Sequence, residues 1–356
     1  MSATFDRTQS FCIRFGLRIP ILLAPMAGVA APALSSAVAN AGGMGSCGVL
    51  LMKPEEIVAW VSEVRSKSNG AFQLNIWIPD PAPQRDAGAE TRVRDFLGTW
   101  GPAVPATAGD EPLQDFDAQC EAMLTAGPPI VSSVMGLYPP EFVARFKARG
   151  IAWFAVVTTV AEARAAEAAG ADAIIAQGME AGGHRGAFDA SMAERRLVGL
   201  FALLPSVVDA VSVPVIATGG IADARGVAAA LALGASAAQI GTGFLRCPEA
   251  GISPAWADAL AVTAPEDTMV SRVFSGRPGR SIATKYALAA AAPEAPEPAP
   301  YPIQRALTAA MRGAATRAGN IDGIQAWAGQ ASALARAEPA SILAQKIWDG
   351  ARALLA

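Results

Sequence analysis

The feature that most constrains the fold is a regular alternation of short apolar runs with alanine-rich helical patterns. The apolar runs have the length of buried strands and lie at residues 21–24, 44–50, 72–78, 130–135, 152–157, 173–176, 214–218 and 238–244. The helical patterns lie at 32–40, 54–67, 116–125, 140–149, 160–169, 196–210 and 223–233. Strands that alternate with such helices predict a parallel sheet, and eight units predict a closed TIM (β/α)8 barrel. The strands lack polar alternation, as is typical of burial on both faces.

The chain of 356 residues is longer than one barrel needs, so we expect a second part. We predict a barrel over residues 1–250 and a mainly helical extension over 251–356 that covers the barrel mouth or edge. The extension has helical patterns at 303–318 and 338–355, after a stiff Pro/Ala/Glu tract at 289–302. Two long connections, 79–115 and 178–194, follow the third and sixth strands at the end where barrel enzymes keep their sites.

Composition excludes several classes of function. The formal net charge is −3 and no basic block is present, so we expect no nucleic-acid partner. The four cysteines are scattered and one histidine is present, which predicts no metal site and a reducing, cytoplasmic setting. The N-terminal residues do not resemble a signal peptide. The uncharged run 226–245 is interrupted by glycines and predicts a buried helix and strand, not a membrane span.

Two glycine-rich turns predict a phosphate site. Gly219 and Gly220 follow the seventh strand, and Asp223 is placed to cap the next helix. The run 239–243 (QIGTG) ends the eighth strand in the same style. Backbone N–H groups at such turns favour an anion, and barrel enzymes often bind phosphate after strands seven and eight. The alternative is that the glycines only make tight turns.

Residues at other strand ends indicate a flat, heteroaromatic ligand. The first strand ends in Ala24, Pro25 and Met26, where a proline stops the ladder and small residues leave space above the barrel mouth. Polar amides occur within or after otherwise apolar strands at Asn75, Gln177 and Gln239. Buried amides need partners, and three converging on one face favour a ring such as an isoalloxazine. A neighbouring strand could satisfy them instead.

The single histidine is the strongest candidate for a catalytic group. His184 follows Gly182 and Gly183 in the run 177–184 (QGMEAGGH), just past the sixth strand. Imidazole titrates near neutrality, and the glycines allow close approach of the backbone to a ligand. We therefore interpret His184 as a general base beside a bound cofactor, with a structural role as the alternative. No Rossmann fingerprint, phosphate-binding P-loop or G-x-S-x-G elbow is present.

Together these motifs resemble the nitronate monooxygenase family, formerly called 2-nitropropane dioxygenases. The resemblance rests on residues 24–28 (APMAG), 177–184, 217–220 (ATGG) and 239–242 (QIGT), with Asn75 and Trp77. The runs 274–278 (FSGRP) and 327–330 (WAGQ) extend it towards the C-terminus, and the second points to the first class of the family. The run 132–136 (SSVMG) is less aromatic than the family pattern, which bears on the substrate pocket.

The resemblance implies an FMN-containing barrel that oxidises alkyl nitronates with O₂ to a carbonyl compound and nitrite. Its partners would be a small nitronate or nitroalkane and O₂, and His184 would be the base for neutral nitroalkanes. By the same resemblance, FMN would be held by Ala24, Pro25, Met26, Asn75, Gln177, Gly182, Gly183, Gly219, Gly220, Gln239, Ile240, Gly241 and Thr242.

Two alternatives stay open. The run 180–184 (EAGGH) is shared with related flavin barrels, including a flavin-dependent enoyl-acyl carrier protein reductase. An NAD(P)H-dependent flavin reductase of an enone or quinone is therefore the main rival. A barrel that binds flavin or senses phosphate without catalysis is the second. The sequence does not define the oligomeric state.

Overall fold

The computed structural model of the protein describes residues 3–26, 28–29, 31–110 and 112–356, without the side chain of Ala3. Its strands are β1 Ile21–Leu23, β2 Gly45–Gly48, β3 Phe72–Trp77, β4 Ile130–Val134, β5 Ala152–Val157, β6 Ala173–Gln177, β7 Gly183–His184, β8 Val215–Thr218, β9 Ala237–Ile240, β10 Thr268–Ser271 and β11 Gly279–Ile282. Its helices are α1 Ala3–Phe15, α2 Pro32–Asn40, α3 Pro54–Lys67, α4 Ala87–Gly98, α5 Phe116–Ala126, α6 Pro140–Ala148, α7 Val160–Ala168, α8 Leu200–Val208, α9 Ala224–Ala232, α10 Pro254–Val262, α11 Lys285–Ala290, α12 Ile303–Leu307, α13 Ala309–Ala318 and α14 Ala340–Leu355.

The predicted TIM barrel is confirmed. Eight strands pair in parallel in the order β1-β9-β8-β6-β5-β4-β3-β2. A parallel bridge between Leu22 and Met44 joins β1 to β2 and closes the ring. The barrel strands are buried almost throughout, which is why their sequences read as continuous apolar runs.

The seven predicted barrel helices are present, and the boundaries differ where side chains cap the chain. The pattern at 196–210 begins as a helix only at Leu200, whose backbone N–H donates to the carboxylate of Glu180 at 2.9 Å. The eighth barrel strand ends at Ile240 and not at residue 244. Gly241 leaves the extended region (φ −106°, ψ −79°), and residues 242–244 form a 3₁₀ turn.

Helix α1 was not predicted, and it covers the N-terminal end of the barrel. Phe11 and Phe15 pack on Phe154 inside the barrel, with ring centroids of Phe15 and Phe154 4.8 Å apart. The C-terminal end of the barrel is therefore the end that remains available for a site.

The connection 79–115 contains the unpredicted helix α4, capped by the side chain of Asp86. Helix α4 joins α11, α12 and α13 around an apolar cluster of its own, separate from the barrel core. The predicted helix 303–318 is two helices that meet at Thr308, whose hydroxyl donates to the carbonyl of Phe274 at 2.7 Å. The α4 segment and the extension thus form one layer.

The extension returns to the barrel at two places. Helix α14 packs against α9 and α2 on the outside of the barrel. Strands β10 and β11 form a small antiparallel sheet with β7, the two-residue strand that contains His184. The boundary between barrel and extension at residue 250 stays a prediction. Within the described ranges, no helix is long and apolar enough to cross a membrane.

Candidate active site

A cavity of about 860 Å³ lies at the C-terminal end of the barrel strands. This volume is within the range of small-molecule and cofactor sites. The wall combines strand ends with residues of α10, α12, α13 and the loop that contains Trp327. Barrel and extension therefore build the cavity together.

The structure brings nearly all of the predicted site residues to this cavity. Those in the wall are Ala24, Pro25, Met26, Asn75, Gln177, Gly182, Gly183, His184, Gly219, Gly220, Gln239, Gly241 and Thr242. Ile240, the last residue of β9, is not in the wall, because its side chain is buried in the hydrophobic core. Ala27, in the middle of the run 24–28, lies outside the described residues.

The turns after β8 and β9 present unpaired backbone donors. Gly219 and Gly220 have φ values of +111° and +67°, which favour glycine. The N–H groups of Gly219, Gly220, Gly241 and Thr242 donate to no acceptor in the described part of the chain. The Thr242 hydroxyl accepts from the N–H of Gly329 at 3.0 Å and so links this turn to the extension. Unpaired N–H groups clustered in a cavity wall suit an anion such as phosphate.

All three predicted amides have protein partners, and Asn75 and Gln239 each use one of their two polar groups in this way. The Asn75 side-chain amide donates to the Ser132 hydroxyl at 3.0 Å, and the Gln239 side-chain oxygen accepts from Gln73 at 3.0 Å. The neighbouring-strand alternative is therefore correct for Asn75, since Ser132 lies on the adjacent strand β4. Gln73 lies on β3, which is not adjacent to β9, so the bond to Gln239 joins strands that are not neighbours in the barrel. Asn75 and Gln239 still line the cavity, so their remaining polar groups lie beside any ligand there.

Gln177 holds the loop that carries the histidine. Its side-chain nitrogen donates to the backbone carbonyl of His184 at 3.1 Å, and its oxygen accepts from the N–H of Gly186 at 2.8 Å. Gly182 lets this loop approach the extension, since a Cβ there would lie 2.5 Å from the backbone nitrogen of Gly329. These contacts fix the backbone of the histidine loop from both sides.

The imidazole of His184 lies between two indoles. Its ring centroid is 4.6 Å from that of Trp77 and 4.7 Å from that of Trp327, both in edge arrangements. Its Nε2 atom lies 2.7 Å from the hydroxyl of Ser275, a buried residue of the extension. The ring is thus held by packing and by one hydrogen bond.

The charges around His184 are cationic. Burial, together with Arg277 and Arg305, lowers the pKa of His184 to about 3. The Arg277 guanidinium is buried and forms an ion pair with Asp80, whereas Arg305 lines the cavity and donates to no acceptor among the residues described. The imidazole is therefore neutral at physiological pH and able to accept a proton, in a cavity that favours an anion.

Arg312 adds a second cation to the wall. Its guanidinium donates to the Gln325 side chain at 3.0 Å and to the carbonyl of Arg305 at 2.8 Å, and burial lowers its pKa to about 10. Tyr301 is also in the wall, and its buried hydroxyl has no partner among the residues described. Both residues belong to the extension.

The run 132–136, singled out for the substrate pocket, ends β4 at the cavity. Met135 is the non-glycine residue with positive φ in the described chain, at +69°. Met135 lines the cavity. The next residue is Gly136, where an added Cβ would lie 2.9 Å from the side chain of Ile78. A strained backbone at a cavity wall is typical of functional sites.

Sequence reasoning missed Ser275, Tyr301, Arg305 and Arg312 as site residues. Ser275 and Trp327 were noted only within runs that carry the resemblance. Since arginines and serines are common, a local pattern gives no signal that they face a cavity formed by distant elements. Among the described residues, no cluster of three or more His, Cys, Asp or Glu side chains could hold a metal ion.

Comparisons with known proteins identify one family. The nitronate monooxygenase family model matches residues 10–349. The nitronate monooxygenase of Paraburkholderia phytofirmans is 42% identical over 339 residues, covering 93% of this chain and 92% of that protein. The solved structure of a nitroalkane oxidase from Streptomyces ansochromogenes has a TM-score of 0.85 at 36% identity, covering 96% and 98% of the two chains. FabK from Thermotoga maritima has a TM-score of 0.75 at 29% identity, covering 96% and 95%.

The lowered pKa of His184 predicts that acid destabilises the fold. Between pH 6.5 and about 3, the unfolded chain binds a proton at this residue and the folded chain does not, so the free energy of unfolding falls as pH is lowered. We predict that between pH 7 and pH 5 the free energy of unfolding falls by about 2 kcal/mol less in His184→Asn than in the wild type. Urea unfolding at both pH values measures this. An identical pH dependence in the two proteins would contradict a neutral, desolvated imidazole.

Proposed function

We propose that this chain, which belongs to the nitronate monooxygenase family, oxidises alkyl nitronates with O₂ by means of a bound FMN, yielding a carbonyl compound and nitrite. The observation that carries the proposal is the position of His184. The histidine is neutral and held between two indoles in a cavity whose wall also presents unpaired N–H groups. A proton acceptor and an anion cradle in one cavity suit a cofactor phosphate and a carbon acid.

The residues present fit FMN. The N–H groups of Gly219, Gly220, Gly241 and Thr242 would hold its single phosphate, because they have no acceptor in the described chain. The wall residues Ala24, Pro25 and Met26 would lie against the ring, and Asn75 and Gln239 would offer polar atoms to it. When bound, the flavin supplies the redox chemistry of the reaction. We expect heat to release FMN, identified by mass, and not FAD.

Side chains of the protein transfer the proton and stabilise the negative charge of the substrate. His184 takes the proton from the carbon beside the nitro group of a neutral nitroalkane. Arg305, the cavity-facing cation without an acceptor, offsets the negative charge of the nitronate. Trp77, Trp327 and Tyr301 line the cavity around the imidazole and limit the access of water to it.

A flavin reductase that uses NADH or NADPH is the second candidate, because residues 180–184 resemble a run shared with a flavin-dependent enoyl-acyl carrier protein reductase. The 42% identity to the nitronate monooxygenase from Paraburkholderia phytofirmans supports the first. The two candidates differ in the source of electrons, which is the organic anion in one and a nicotinamide in the other.

Oxygen uptake separates the two functions. We predict that an alkyl nitronate drives O₂ consumption and nitrite release without nicotinamide, since its electrons come from the anion itself. Anaerobic mixing with NADH or NADPH should bleach the flavin slowly or not at all. The measurements are an oxygen electrode, a nitrite assay and anaerobic absorbance. Rapid nicotinamide oxidation with no nitrite from any small nitronate would assign the chain to the reductases.

The phosphate cradle is tested by Gly220→Val. We predict loss of most of the flavin on dialysis, because a branched side chain opposes the φ of +67° and blocks the backbone approach to phosphate. Gly150→Val is the matched control. Gly150 has φ of +71° with no atom within 4 Å of an added Cβ, and it lies outside the cavity. Equal flavin retention in both variants would show that this turn does not bind the phosphate.

His184→Asn tests the base. We predict a fall in the turnover of neutral nitroalkanes of about 10²–10⁴-fold, while turnover of preformed nitronates is largely retained. Asparagine can donate a hydrogen bond but cannot accept a proton at neutral pH. Initial rates of nitrite release with both forms of one compound measure the difference. Unchanged rates on both forms would assign His184 a structural role only.

A further inference from the structure

We propose that Ser275 fixes His184 as the Nε2–H tautomer, so that Nδ1 is the atom that takes the proton from a neutral nitroalkane. Ser275 is then a positioning residue, which acts through His184 and not on the substrate. The role of Nδ1 rests on the proposed function, whereas the tautomer itself can be tested without it.

The tautomer follows from the single proton that the Ser275 hydroxyl can donate. Its hydroxyl oxygen lies 2.7 Å from His184 Nε2 and 3.1 Å from the carbonyl of Arg277, and it accepts from the N–H of Arg277 at 3.3 Å. A hydroxyl has one proton to donate and two lone pairs to accept with. The carbonyl of Arg277 can only accept, so all three contacts are hydrogen bonds only if the hydroxyl donates to that carbonyl. His184 Nε2 must then carry a proton and donate it to Ser275.

The opposite tautomer leaves a buried carbonyl unpaired. If Ser275 donated to Nε2, the proton of the imidazole would be on Nδ1, and the hydroxyl could no longer donate to the carbonyl of Arg277. That carbonyl accepts from no other donor among the residues described. Ser275 is 1% exposed, so water cannot readily replace the lost contact. The buried surroundings therefore favour Nε2–H.

The packing keeps this arrangement rigid. Trp77 and Trp327 flank the imidazole, which opposes a flip that would exchange the two ring nitrogens. Trp327 is itself held, since its carbonyl accepts from the indole N–H of Trp256 at 3.2 Å. With Nε2 bound to Ser275, Nδ1 is the ring nitrogen that remains for a molecule in the cavity.

The charged groups near the ring agree with a neutral imidazole. Arg277 lies beside β11 and Arg305 lies on α12, and Asp80 after β3 is paired with Arg277. No carboxylate is hydrogen-bonded to His184 in the described chain. Ser275 therefore takes the orienting position that an acidic residue has in many catalytic pairs, without adding negative charge.

The proton transfer is balanced as follows. The C–H bond beside the nitro group breaks, its electron pair stays on the substrate as the nitronate, and the proton binds Nδ1. The imidazolium keeps its Nε2–H bond to Ser275. A preformed nitronate has no such proton to give, and a neutral His184 offers it a lone pair and no donor. Ser275 should therefore matter for nitroalkanes and little for nitronates.

The chain has one histidine, so NMR reports on this residue alone. The experiment uses the full chain as purified with a histidine-free tag, labelled with ¹⁵N-histidine, and reads both ring nitrogens through their couplings to the carbon-bound protons. We expect the wild type to be protonated at Nε2 and unprotonated at Nδ1 near pH 7.5. Protonation at Nδ1 would overturn the proposal, whatever the enzyme's activity.

Ser275→Ala tests the cause of the tautomer. We expect a mixture that includes Nδ1–H, with turnover of a neutral nitroalkane lowered about 10-fold or more, by less than in His184→Asn, and nitronate turnover nearly unchanged. Ser275→Cys, nearly equal in size with a weak hydrogen-bonding group, replaces the alanine variant if that does not fold. Ser271→Ala is the control, because its hydroxyl is buried without a partner outside the cavity.

The outcomes separate this proposal from the function on which it rests. If the variants at Ser275 keep the wild-type tautomer and rates, Ser275 does not position His184. If the tautomer shifts as expected and no nitro compound is oxidised by any form, the tautomer assignment stands and the proposed function fails.

Discussion

The pairing of two residues of β7 with β11 is the interaction on which the site depends. Gly183 pairs with Arg280 and His184 with Gly279, and the N–H of Arg185 donates to the carbonyl of Pro278 at 2.9 Å. A loop after a barrel strand would otherwise have few contacts to define it. Because the pairing partner is in the extension, the same backbone bonds that order the histidine loop also bring Ser275 to the imidazole. The geometry around His184 therefore requires both parts of the chain.

The barrel and the location of the site could be predicted from sequence because both have local causes. Burial on two faces makes each strand apolar, and glycines mark the turns after β8 and β9 at the barrel mouth. The pairing of β7 with β11 has no local cause. Its strand is two residues long, and the contact between His184 and Ser275 joins positions 91 residues apart. Helix α4 was missed for another reason, since the prolines and glycines around it are typical of a loop.

The polar residues at the strand ends illustrate how far a residue type can define a role. The sequence places Asn75, Gln177 and Gln239 at the mouth, and the structure does so as well. It does not say how each amide divides its hydrogen bonds. Gln177 uses both of its polar groups to hold the backbone around His184, whereas Asn75 and Gln239 each use one group on a side chain of another barrel strand. Only partner geometry separates a residue that positions the base from one that can face a ligand.

The charged residues around His184 influence how strong a base its imidazole is. Burial, together with Arg277 and Arg305, makes the imidazolium of His184 unfavourable, so the histidine is a weak base. Under the proposed function, a nitronate beside Arg305 would reverse part of this effect, because its negative charge would offset the cation and stabilise a protonated ring. In the proposed proton transfer to Nδ1, the nitronate and the imidazolium would form together, as an ion pair next to Arg305. The proposed reaction therefore requires the new anion to stay in contact with the ring that took its proton, since that contact offsets the effect of the arginines on the imidazolium.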